Sequence, residues 1–164
     1  MTQQQPPSSF TDLPYAGVGR RLAALVYDAL IVLGLLMVYG FLAIMVASAV
    51  GGLECKPGEL DYTPCVGGPL VQLGMLVVVA GYYFWSWRGA GQTIGMRAWR
   101  LMVASPQGVQ LSWSQCAIRA LVAPVSLTLF GAGYFWAWTR GDRASWHDLA
   151  SGSQVRLLPK PGKK

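Results

Sequence analysis

Charge is what this chain has least of. Asp, Glu, Lys and Arg make up 12% of its 164 residues, about half the share usual in soluble globular domains. Mean hydropathy is +0.38 and 53% of residues are hydrophobic. These figures read as a small, one-domain integral membrane protein. Acidic residues are scarcer than basic ones, seven against 13, for a net charge of +6. In a membrane protein that excess marks cytoplasmic loops facing anionic lipid, so no nucleic-acid partner is expected. Histidine occurs once and cysteine three times, without metal-site spacing. Gly91 and Gly95 lack the Lys-Ser/Thr ending of a phosphate-binding P-loop. Neither metal nor cofactor is expected. The length allows a few spans and short loops but no separate soluble enzyme domain.

Long apolar runs are what the chain has instead. Residues 22–50 contain no charge except Asp28 and are long enough to cross a bilayer. Ala47-Ser48-Ala49 imitates a signal-peptide cleavage site. The run is too long for a signal peptide and carries Asp28, so an uncleaved span is expected. A carboxylate there is costly, and usually faces a polar interior, pairs with a cation or lines an ion path. Arg21 lies seven residues upstream, nearly two helical turns. The two therefore share a helix face about 10 Å apart, too far for direct contact, and each needs a partner elsewhere. Residues 70–87 form a second span. It ends in Tyr82, Tyr83, Phe84, Trp85 and Trp87 before Arg88, an interfacial belt with an inside anchor rather than an aromatic cofactor box.

Around these spans, residues 1–15 read as a disordered polar tail and 159–164 as a basic tail, with a membrane domain over 16–158. Residues 51–69 form a Gly- and Pro-rich loop that is net acidic and suits the outer side. It holds Cys55 and Cys65, which could close a small disulfide ring or remain thiols; spacing leaves both open. Cys116 reads as a buried apolar residue. Residues 88–112 carry Arg88, Arg97 and Arg100 and no acid, so they face the cytoplasm. Within them, 100–104 and 109–111 flank Ser105-Pro106-Gln107-Gly108 and suggest a β-hairpin, to which 153–158 would add a third strand. The expected class is a mainly α membrane protein with two transmembrane helices, a third hydrophobic segment and a small cytoplasmic β-hairpin or sheet.

The third segment, 117–138, sets hydropathy against charge. A full crossing puts the C-terminus outside, whereas residues 139–164 carry six basic residues against Asp142 and Asp148, which favours the inside. Gly81–Gly89 and Gly133–Gly141 also resemble each other, suggesting exit at the same face. A helix broken at Pro124 would enter and return, each arm reaching about 15 Å, half the core thickness. This re-entrant form is preferred over a spanning one. It gives an inner (plasma) membrane protein with the N-terminus in the cytoplasm, loop 51–69 outside and the C-terminus in the cytoplasm.

Arg21 and Asp28, then Gly91-Gln92-Thr93-Ile94-Gly95, then Arg119, then Trp146-His147-Asp148-Leu149-Ala150-Ser151-Gly152 form an ordered set. In this order and spacing the chain resembles the RDD family of small bacterial membrane proteins, over residues 16–158. The family's first-span Arg and Asp match Arg21 and Asp28, with Ala24 between them. Its Gly-x-Thr-x-Gly and following basic residue match Gly91, Thr93, Gly95 and Arg97, with Met96 where Lys is common. Its late His-Asp pair matches His147 and Asp148. Leu149 stands where Arg is often found, and Ser153 where Thr is common. The resemblance implies a membrane protein with a loose link to transport and no agreed substrate.

Two readings of the charged set follow. In one, Asp28 binds a proton or cation for coupled cation or small-solute transport, with Arg119 competing for its carboxylate. In the other, Asp28 and Arg119 form a structural clamp in a non-transporting accessory or scaffold protein. Two or three spans cannot enclose a pathway, so transport requires a homo-oligomer or a membrane partner. His147 and Asp148 lack a nearby nucleophile, and adjacent helix residues point apart. They read as a helix-start or docking motif and not as a catalytic dyad. Thr93 reads as the cap of the segment after it.

Overall fold

The computed structural model describes residues 9–50, 68–108, 110–129 and 131–160. Cys55 and Cys65, most of the loop that holds them, and residues 161–164 lie outside the described residues. The chain is mostly helical: α1 Val18–Ala49, α2 Pro69–Gly89, α3 Ile94–Ala98, α4 Trp113–Thr128, α5 Ala132–Thr139 and α6 Trp146–Ser151. Two strands, β1 Leu101–Ala104 and β2 Gln154–Leu157, form one antiparallel sheet. The expected class stands, with α1 and α2 long and apolar enough to cross a membrane.

Contacts divide the chain into two compact units, Leu30–Tyr82 and the remainder. In the first, the distal part of α1 and most of α2 are apolar helix with little to bury. Tyr39 Oη donates to the Val71 carbonyl at 3.3 Å. A Cβ on Gly74 would fall 1.9 Å from that hydroxyl, so the Tyr39 side chain would have to shift to admit it.

The second unit has the core, formed by Ala16, Ala24, Trp87, Met96, Leu101, Val103, Leu111, Cys116 and Val155. Its short helices begin where side chains cap them. Thr93 Oγ1 accepts from the Met96 amide at 3.1 Å to start α3, as its position predicts. Ser112 and Gln115 form a reciprocal capping box on α4, and Ser145 and Asp148 do so on α6. Gly152, at φ 60°, ends α6 in the left-handed conformation that a non-glycine residue adopts with strain.

Three expectations need correction. The partner of β1 is β2, with Val103 opposite Val155, whereas Gln110 and Leu111 form no strand. The edge beyond β2 is taken by residues 14–16 through Ala16 N–Val155 O and Leu157 N–Pro14 O bonds of 3.1 and 2.9 Å. These residues, with a 3-10 turn at Phe10–Asp12, have defined structure that reaches into the expected disordered tail 1–15, of which residues 1–8 lie outside the described residues. The break in the third hydrophobic segment lies not at Pro124, which sits inside α4, but near Gly131, with φ 73°. Proline removes one helical hydrogen bond, and α4 tolerates that loss. A left-handed residue ends the helix outright. The axes of α4 and α5 meet at 94°, a geometry shared by a broken span and a re-entrant loop.

Candidate functional site

Arg21 and Asp28 both face inward from the first eleven residues of α1, with Ala24 between them. Their partners differ. Asp28 is 4% exposed and accepts from Thr93 Oγ1 at 2.5 Å and from the Gly95 amide at 2.8 Å. Gly95 is the second residue of α3, so the carboxylate lies against that helix's N-terminal amides, where an anion is favoured. The approach is close enough to require glycine. A Cβ on Gly95 would fall 2.2 Å from the Ala24 carbonyl oxygen and 2.8 Å from Asp28 Cγ. The Gly-x-Thr-x-Gly motif is therefore a backbone fitted to α1, and Gly91, at φ 64°, makes the turn that delivers it.

Arg21 and Arg119 converge on one acid, Asp148. Arg119 Nη1 lies 2.6 Å from Oδ1, and Arg21 Nη1 bonds to Oδ2. The expected Asp28–Arg119 partnership is thus replaced: α4 aims Arg119 at α6. Its Nη1 also donates to Ser153 Oγ, and its guanidinium lies 5.2 Å from the Trp87 ring centre, a cation–π distance. Arg21 Nε donates to the Ala16 carbonyl at 3.3 Å and Nη1 to Ser145 Oγ at 3.2 Å. All three charged side chains are at least 95% buried. Burial works to raise the Asp148 carboxyl, but Arg21 and Arg119, helped by the Ser145 hydrogen bond, hold it well below the usual carboxylate range.

The state of His147 follows from its neighbours. Ser145 Oγ donates its proton to Asp148 Oδ2 at 2.6 Å and receives one from Arg21. His147 Nε2, 3.0 Å from the same hydroxyl, must then be the N–H donor, because an ionised carboxylate only accepts. Nδ1 carries the lone pair and is buried with no hydrogen-bond partner among the described residues. Burial, with Arg21 and Arg119 nearby, pushes the imidazole down to about 3 despite the opposing pull of Asp148, so His147 is neutral at physiological pH. The Tyr134 ring covers it at 4.9 Å between centroids. The geometry is that of a docking and capping motif: the Ser145 hydroxyl, which lies against the ring where no nucleophile is expected, gives its proton to Asp148 and not to the imidazole.

Sequence reasoning missed Ser145, which touches Arg21, His147 and Asp148. A signal was present, since Ser145 stands three residues before Asp148, the capping-box spacing. Trp87 was read as interfacial belt, but only 7% of it is exposed and it packs on Arg119.

Two inward acids, two inward arginines and a glycine-framed threonine, in this chain order, decide the kinship. The model of the RDD family matches residues 15–152. The chain belongs to the RDD family. No curated protein and no solved structure matches it. Together with the apolar helices, membership makes this a membrane protein. No group of three or more His, Cys, Asp and Glu side chains suited to a metal ion occurs among the described residues.

Proposed function

We propose that this RDD protein is a non-transporting membrane accessory or scaffold, acting as a homo-oligomer or beside a membrane partner in the bacterial inner membrane. One observation carries the reading: each inward acid is engaged in holding a short helix in place. Asp28 receives the N-terminus of α3, and Asp148 caps α6 while binding Arg21 and Arg119. Helix length supports it. At 1.5 Å per residue, Ala29–Ala49 alone covers about 31 Å, the thickness of the hydrocarbon core. Asp28 then stands at the edge of the span and not in its middle. Positive loops favour cytoplasmic N- and C-termini, with the α4–α5 bend as a re-entrant element.

A second reading, proton-coupled cation or small-solute transport through Asp28, is favoured by the burial of a carboxylate in a membrane helix. In that reading the Thr93–Gly95 segment, not Arg119, opens and closes over the acid. Asp28→Asn separates the two. The scaffold reading expects no cation or proton flux in vesicles from either form, with lower stability or weaker partner recovery for the variant. Flux by the native protein that disappears in a stably inserted Asp28→Asn variant would overturn it.

A further inference from the structure

A cavity of about 160 Å³ opens beside the charged cluster. Its walls include Arg21, Asp148, Asp142, Leu149 and Gln154. The volume admits several waters or one phosphate group but falls below the roughly 300–1,000 Å³ of a drug-sized ligand site. Three observations bear on an occupant. First, two buried guanidiniums share the Asp148 carboxylate, which leaves one positive charge in excess at that point. Asp28, the other inward acid, is held by α3 and lies about 10 Å along the helix. Second, the bonds of Arg21 to the described residues use Nε and Nη1, which fix the guanidinium plane and leave Nη2 without a partner among those residues, on a side chain that is 94% buried and lines the cavity. Third, the other acid on the wall, Asp142, is neutralised by a two-bond contact with Arg140 at 2.9 Å for each bond. Arg143, between two wall residues, lays its guanidinium beside Gly17.

We propose that this cavity binds the phosphate group of an anion, either inorganic phosphate or a lipid headgroup, on Arg21. The remaining Nη2 donor of Arg21, on a permanently charged guanidinium, suits a phosphate oxygen, and the incoming charge balances the excess cation. Arg21 stands at the start of a membrane helix, within reach of headgroups. The inference does not rest on the scaffold reading, since either an accessory or a transporter could hold such a ligand.

The test uses the full chain in nanodiscs of zwitterionic lipid. Inorganic phosphate, or replacement of a fraction of the lipid by phosphatidylglycerol, is expected to raise the unfolding temperature and change tryptophan fluorescence, while chloride at matched ionic strength does not. Leu149→Glu places a carboxylate at the mouth on a residue that is 44% exposed. It is expected to weaken the response at least tenfold, while Leu149→Gln retains it. Gln154→Glu is the second variant, because Glu keeps the acceptor oxygen that Arg156 uses. A response to phosphatidylglycerol alone assigns the site to a lipid headgroup, and a response to phosphate alone assigns it to the free anion. No response to either, or full response in both Glu variants, overturns the proposal.

Discussion

Replacing Asp148 by Asn removes one negative charge from between two buried guanidiniums. The amide keeps one acceptor oxygen. Turned towards Arg21 and Ser145, it preserves the α6 cap but presents an NH2 group to Arg119, donor against donor. Turned the other way, it serves Arg119 and loses the cap. Either choice leaves a buried cation without its counter-charge, since Arg21 and Arg119 side chains are 5% and 4% exposed and Asp148 is 0% exposed. Breaking a buried pair by removing one partner costs about 3–5 kcal/mol. Solvent screening offers little relief at this depth. The measurement is reversible unfolding in mixed micelles, followed by the fluorescence of the seven tryptophans. A double-mutant cycle sharpens it. With Arg119→Gln already present, one stranded cation is gone, so Asp148→Asn should cost less, by about 1–3 kcal/mol. An Asp148→Asn variant within about 1 kcal/mol of native stability, or a cycle with no coupling, would refute the view that this carboxylate organises the cluster.

Other predictions concern the surrounding residues. Gly95→Ala should destabilise by at least about 2 kcal/mol, because overpacking of about 1–3 kcal/mol adds to the loss of the Asp28 bond, whereas Gly34→Ala, where a Cβ meets nothing within 4 Å, should be neutral or stabilising in the same assay. His147 has a lowered value in the folded chain, about 3 against 6.5, so the unfolded chain binds its proton first as pH falls. Folding free energy should therefore decline from about pH 6.5 downward, by up to about 1.4 kcal/mol per pH unit. His147→Gln should remove that slope. Asp148, also lowered, loses its contribution only below its ordinary range near pH 3.8, so the acid limb there should persist in His147→Gln. A reporter fused after Lys164 should be active in the cytoplasm, and activity confined to the periplasm would exclude the re-entrant α4–α5 hairpin.

What could be read from sequence was set locally. The apolar runs of α1 and α2, the cap at Thr93 and the helix start at His147-Asp148 each depend on residues within a turn or two. Pairings over long separations were legible only in part: 153–158 is expected in the sheet as a third strand, not as the direct partner of 101–104. Strand 101–104 has turn residues after it, which suggests a hairpin, yet it finds its partner about fifty residues later because 154–157 offers Val155 to the core against Val103. The assignment of arginines to acids failed for a related reason. Helical periodicity gives the face on which Arg119 lies. It does not give the depth at which α4 meets α6, and that depth sends Arg119 to Asp148.

Sharing a helix face did not give Arg21 and Asp28 a shared task. The 10 Å between them along α1 is the spacing of two separate docking points. One receives α6 through a bond between Arg21 and Asp148, and the other receives α3 through the Thr93 hydroxyl and the Gly95 amide. This division has an energetic consequence. Protonating Asp148 would strand two cations, so that acid is locked in its charged form. At Asp28 the bonds from α3 come from the Thr93 hydroxyl and the Gly95 backbone amide, so backbone placement does there what side-chain charge does at Asp148. The α6 docking point therefore depends on one buried carboxylate staying between two guanidiniums. The α3 docking point depends instead on Gly95, because a Cβ there would meet the Ala24 carbonyl oxygen and Asp28.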